Sequence, residues 1–207
     1  HPNRANRRGD GKTNQQAFEQ KSHIHFRSAF GLPRLDSRLD FFMFAAFGQV
    51  SGKLMNNRLG VTMGLRTDAN TYDSEMLNPL NQISPRLSLN YSLTERWYAT
   101  VSAARYTQLP AYTTLGYREA GELVNKKNNL SAIGVSHFIA GIEFNPNDDS
   151  KATVEAFYKG YDHYPVSLRD SVSLANKGGD FGVVGDEPVV SEGKGRAYGV
   201  EFQYRRK

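Results

Sequence analysis

The stretch "SPRLSLNYSLTERWYATVSAARYTQLPAY", residues 84–112, decides the fold class. Leu87, Leu89, Tyr91 and Leu93 alternate with Arg86, Ser88, Asn90 and Ser92, and a second, looser alternation starts after Thr94-Glu95-Arg96. Period two is the signature of a strand with one apolar and one polar face. Either a soluble core or lipid can cover the apolar face, so the neighbouring segments have to decide between them.

Working outward, the same period recurs. Ile24, Phe26 and Phe30 oppose His23, His25 and Arg27, and Leu59, Val61, Met63 and Leu65 oppose Arg58, Gly60, Thr62 and Gly64. "HFIAGIEF" (137–144), "KATVEAFYKGY" (151–161) and "AYGVEFQY" (197–204) repeat it, while "FFMFAAFGQVSGKL" (41–54) is apolar on both sides at first. The pattern predicts about eight antiparallel strands and no long helix. Residues 1–21 are polar and aperiodic and read as a loop or disordered lead-in, with the strand-bearing segment over 22–207.

The connections separate lipid from core. "MNN", "TE" and "NPNDD" are tight polar turns, whereas roughly 68–85, 107–136 and 162–196 are long links, in strict alternation. Long links at every second connection are uncommon in compact soluble domains. In an outer-membrane barrel, short periplasmic turns and long outer loops are the rule. Tyr91, Trp97, Phe144, Tyr158, Tyr161 and Tyr204 fall near strand ends, where an interface favours amphipathic rings. The expected fold is therefore an all-β antiparallel meander in a transmembrane β-barrel, with one face for lipid and one for water.

Composition agrees. No stretch reaches the ~18–20 apolar residues of a membrane helix, and the mean hydropathy of −0.58 suits a barrel, which needs apolar residues only at alternate positions. The net charge of +5 comes from scattered Lys and Arg without a base-stacking motif, so no nucleic-acid partner is expected. Absence of cysteine excludes disulfides and thiolate metal sites. The first residues lack the apolar centre of a signal peptide and the chain does not open on Met, which suggests a mature segment or an excised piece.

"FGQVSGKL…RLGVTMGLRTD", "SPRLSLNYSLTERWYATVSAARYTQLPAY", "FIAGIEFNPNDDSKATVEAFYKGYDHYPV" and "GKGRAYGVEF", in that order, resemble consecutive hairpins of TonB-dependent receptors in the style found in Bacteroidetes. The resemblance covers about 41–204. It implies a barrel of about 22 strands around a plugged lumen, placed in the bacterial outer membrane. Such a receptor imports scarce, bulky nutrients (iron chelates, cobalamin or glycans) with energy from an inner-membrane TonB complex. No plug or energy-coupling box is recognisable, and the chain stops after "YGVEFQYRRK", so a fragment of the C-terminal half of the barrel is expected. The partners implied are outer-membrane lipid, TonB acting through a plug absent from this chain, and an unidentified nutrient. A complete eight-strand barrel serving as channel or adhesin, or a soluble all-β binding module, are the rival readings.

Candidate ligand-facing residues are the polar-face groups. His23, His25 and Arg27 share a strand face; metal or haem capture is one reading, and simple exposure to a watery lumen the plainer one. Arg66, Arg86, Glu143, Glu155 and Glu201 form either a charged lining for substrate or plug, or an ordinary salt-bridge lattice. "GKGRAYG" and "RRGDGK" lack the setting of a phosphate cradle, and "DANTYDSE" lacks the spacing of a calcium loop. No nucleophile is paired with a base. The expectation is no catalytic residue, no cofactor and no metal.

Overall fold

The computed structural model describes residues 14–25, 36–177 and 184–206. Eight long strands form one antiparallel sheet in chain order: β1 Asn14–His25, β2 Asp36–Leu54, β3 Leu59–Asn70, β4 Ile83–Ser92, β5 Trp97–Gln108, β8 Ile133–Asn147, β9 Ser150–Ser167 and β10 Val189–Arg206. A two-residue hairpin, β6 Arg118–Glu119 with β7 Glu122–Leu123, lies in the β5–β8 link. Among the described residues the outermost strands, β1 and β10, do not pair with each other, so the sheet is an open arc. β1 begins inside the stretch expected as a polar lead-in, and residues 1–13 of that stretch lie outside the described residues, as do 26–35.

Period two becomes two different faces once the register is fixed. On one face, cross-strand neighbours of β5, β8, β9 and β10 form rows. Trp97–Phe144–Ala152–Tyr204 comes first, then Ala99–Ile142–Val154–Phe202, then Val101–Ala140–Ala156–Val200, then Ala103–Phe138–Tyr158–Tyr198. Aromatic rows thus bracket aliphatic ones, and Trp97 stacks on Phe144 at 4.4 Å. The next row, Arg105–Ser136–Gly160–Arg196, is polar. Arg105 there forks onto Asp162 at 2.9 and 3.0 Å. Gly134 makes room for that fork, because a Cβ would stand 2.0 Å from the Asp162 carboxylate. Tyr161, expected among the interfacial rings, belongs to the opposite face, opposite Gly195 and Val135.

This apolar face is open: Met63 is 52% and Val200 71% exposed. Contiguous exposure on that scale marks a surface meant for an apolar partner. The other face carries Ser51, Thr62, Ser88 and Ser102 as successive neighbours on β2–β5, with the Ser51 and Thr62 hydroxyls 3.0 Å apart. Thr100 donates to Asn90 on the same face at 3.0 Å.

Strands run further toward the long links than their alternation indicated. β8 starts at Ile133 and β10 at Val189. Backbone pairing continues past the apolar band, where nothing demands alternation. At the other end the turns are tight: Met55, Asn56 and Asn57 are all left-handed, and the Arg58 guanidinium reaches the Leu93 carbonyl at 2.7 Å.

The three long links gather at one end and hold the buried core. The β3–β4 link carries α1 Ser74–Leu77, capped by the Asp73 carboxylate accepting from the Met76 N–H at 2.8 Å. The β5–β8 link carries α2 Tyr112–Leu115 and α3 Val124–Lys127. Met76, Leu115, Leu130 and Val189 bury against Tyr72 and against Leu39 and Phe41 of β2. A soluble core inside the sheet is absent from the described residues; the core sits in the loops.

Candidate functional site

Two surfaces have the chemistry to meet a solute: the polar sheet face and the loop cap above it. On the polar face, β3 places Arg66 and Asp68 two residues apart, so both project together. The guanidinium Nε and Nη2 bind the two carboxylate oxygens at 2.8 and 2.6 Å. Arg86 of β4 lies over the Tyr106 ring at 4.7 Å, with no carboxylate partner among the described residues. Glu143 of β8 is bridged by Lys151 of β9 and accepts from the Asn145 amide at 3.0 Å. Glu155 and Glu201 are direct cross-strand neighbours, an acid pair without a counter-charge in contact among the described residues.

The expected charge lattice is therefore partial. Arg66 and Glu143 are tied into ion pairs, whereas Arg86, Glu155 and Glu201 have no ion-pair partner among the described residues. His23 and His25 lie on β1, opposite Arg38 and Asp36 in register, and Arg27 lies outside the described residues. Among the described residues there is no group of three His, Asp or Glu side chains placed to hold a metal ion. An open recess of about 740 Å³ lies at the turn end, between Glu95, Tyr98, Glu143, Asp148 and Arg205. It positions no nucleophile beside a base.

The cap is built by hydrogen bonds between links. Asn125 is fully buried. Its amide donates to the Thr114 carbonyl at 2.7 Å and the Glu187 carbonyl at 2.9 Å, and its oxygen accepts from the Val189 N–H at 2.8 Å. The Asn128 amide donates to the Val189 carbonyl at 3.0 Å, and the Tyr72 hydroxyl to the Leu115 carbonyl at 2.9 Å. Burial pushes the Tyr72 phenol well above its ordinary range, which keeps it a donor. Periodicity missed all of these residues. The signal available was the apolar content of the 109–132 link (Leu115, Leu123, Leu130), which a solvated loop does not need.

Lys177 bridges Asp170 at 2.8 Å and Glu187 at 2.7 Å. Its hydrogen bond, with the Val172 N–H, holds the Asp170 carboxyl below its ordinary value. A depressed folded pKa stabilises the loop at neutral pH, and that contribution is lost as pH falls through the depressed value. Residues 168–177 are therefore expected to stay fixed down to about pH 4 and to loosen only below it. Following the Val172 amide shift through an acid titration checks this; a midpoint at or above the ordinary carboxylate value would contradict it.

A family model described as TonB dependent receptor-like, beta-barrel, matches residues 4–206. No curated protein sequence matches the chain. Among solved structures, the chain is similar to "Copper transporter OprC", with 12% sequence identity and a TM-score of 0.58 over 94% of this chain and 32% of that one. The chain thus spans about a third of the length of that structure, and at this identity the likeness is one of fold.

Proposed function

The chain belongs to the TonB dependent receptor-like β-barrel family, and from that premise we propose that it is wall and outer loops of a receptor importing a scarce, bulky nutrient. The family is one of outer-membrane transporters rather than enzymes. The observation that carries the proposal is the two-faced arc: an exposed apolar face banded by aromatic rows, a polar face behind it, and long links gathered into one cap. Lipid covers the first face, and the second lines the path of the solute. The cap captures the nutrient at the mouth, and a plug elsewhere in the receptor gives way when TonB pulls on it.

Iron chelates, cobalamin and glycans are the nutrient classes in view. Copper is the cargo named for OprC, and shared fold alone does not bring it here. Of the rival readings, a closed eight-strand barrel requires β1 to pair with β10, which the described residues do not do. A soluble module requires the Met63 and Val200 face to be covered by the chain itself, and it is open.

Uptake tests the proposal. Deleting the receptor should abolish uptake of one nutrient from a panel of these classes, and restoring it should rescue uptake only in cells with functional TonB. Rescue that is equal without TonB would remove the energised mechanism.

Sidedness follows from the same reading. Asn57, Glu95 and Asp148 mark the turn end and Asn78 and Gly121 the cap end; Gly179, of the third long link, lies outside the described residues. Cysteines at Asn78 and Gly121 should react with an impermeant maleimide on intact cells. Those at Asn57, Glu95 and Asp148 should react only after permeabilisation. The opposite labelling would invert the topology.

A further inference from the structure

We propose that the polar face carries an oxyanion site between Arg66 and Arg86, and that it engages a carboxylate or phosphate group of the imported solute. The site deepens the import reading and rests on it. A recess of about 230 Å³ opens there between Phe47, Gln49, Gly64, Arg66 and Arg86. Gly64 makes the opening: its missing side chain would sit 3.7 Å from the Gly48 carbonyl and 3.9 Å from the Arg86 and Gln49 side chains. The register row runs Gln49–Gly64–Arg86, so the amide and the guanidinium flank the vacant position from either side.

The charges favour an anion. Both guanidinium residues line the recess and only Arg66 has an ion-pair partner, Asp68, so one positive charge is left without a paired carboxylate among the described residues. Asp68 occupies Nε and Nη2 of Arg66 and so fixes the plane of that group while Nη1 stays available. Arg86 is held by its face against Tyr106, and stacking of that kind leaves the N–H edge free to donate. Two guanidiniums and an amide at one recess make a donor set that planar or tetrahedral oxyanions take, with charge-assisted hydrogen bonds. Phe47 lines one side of the recess with apolar surface.

The test uses the full-length receptor in detergent micelles and inorganic phosphate as the probe. Phosphorus NMR should show the phosphate resonance broadening in the presence of the receptor. Arg86→Gln should weaken that binding about tenfold, the loss expected for a charge-assisted donor pair. Gly64→Leu, which fills the recess while keeping both arginines, should weaken it as strongly, so general surface charge is separated from a built site. Arg196→Gln, in the polar row on the opposite side of the sheet, should change nothing. Heat-modifiable migration on gels checks that each variant is folded. Absence of broadening with the unmodified receptor overturns the proposal, and is the result expected if a side-chain carboxylate from another segment occupies the recess. Equal broadening in Arg86→Gln or in folded Gly64→Leu also overturns it. Because binding is read without TonB, its failure leaves the uptake experiment to judge the import reading separately.

Discussion

Replacing Asn125 with leucine should open the cap while leaving the sheet paired. Leucine keeps the branching of asparagine at Cγ but is larger, so at this fully buried position crowding adds to the loss of hydrogen bonding. Three backbone groups lose a bond: the Thr114 and Glu187 carbonyls and the Val189 N–H, with the Thr114 carbonyl keeping only the long bond from the Tyr117 N–H at 3.4 Å. Leaving one buried polar group unsatisfied costs about 1–3 kcal/mol. Local relaxation and water entry recover part of the sum, so about 3 kcal/mol is expected for the set. In hydrogen exchange on the full receptor, protection at Val189 and Leu115 should fall roughly a hundredfold, while strand amides such as Val101 keep theirs. Asn128→Ala, which removes the single bond to the Val189 carbonyl, should cost only about 1 kcal/mol. Unchanged protection in Asn125→Leu would show that the links are held by their apolar contacts alone. The functional counterpart is that capture at the mouth should weaken in the same variant, because Asn125 ties the β5–β8 link to the start of β10.

The second large effect concerns the exposed face. Arg in place of Met63 or Ile142 puts a guanidinium where the cross-strand neighbours are apolar: Val50 and Leu87 beside Met63, Ala99 and Val154 beside Ile142. Near the bilayer midplane such a change costs about 2–4 kcal/mol. Thr62→Arg lies one residue away on the opposite face and should cost far less, at most the exposed bond to Ser51. Gly141 is a poor control for that face, since a Cβ there would meet the Glu155 side chain at 2.8 Å and the Val154 carbonyl at 3.2 Å. Folding titrations of the full barrel into lipid bilayers measure the difference. Equal penalties at Met63 and Thr62 would mean that lipid does not select between the faces.

The two effects lie at different depths and share no side chain, so they should add in a double variant. Their readouts also differ. A cap variant changes local opening, whereas a lipid-face variant changes the stability of the inserted barrel. A result in which Asn125→Leu destabilised insertion would indicate that the loop core forms before the strands enter the membrane.

By itself the sequence left open where β1, β8 and β10 begin, but it determined about eight strands, the tight turns between them and the division into two faces. All of these follow from local rules: side chains alternate along an extended chain, and Asn, Asp and Thr-Glu turn it. The Arg66–Asp68 pair, two residues apart on one strand, is also local, although the alternation alone did not single out Asp68. The meander order was expected from the sequence; only the tertiary structure decided the pairing register and therefore who met whom. Glu143 finds Lys151 across a hairpin, Arg105 finds Asp162 from 57 residues away, and Asn125 reaches Val189 from 64. The loop core was invisible for the same reason. Met76 comes from one link, Leu115 and Leu130 from another and Val189 from the first residue of β10, none within a periodic run, and the sheet beneath brings them to one end. Arg86 faces a vacant recess because β3 registers a glycine beside it, and pairing register is a property of two strands together that neither segment encodes alone.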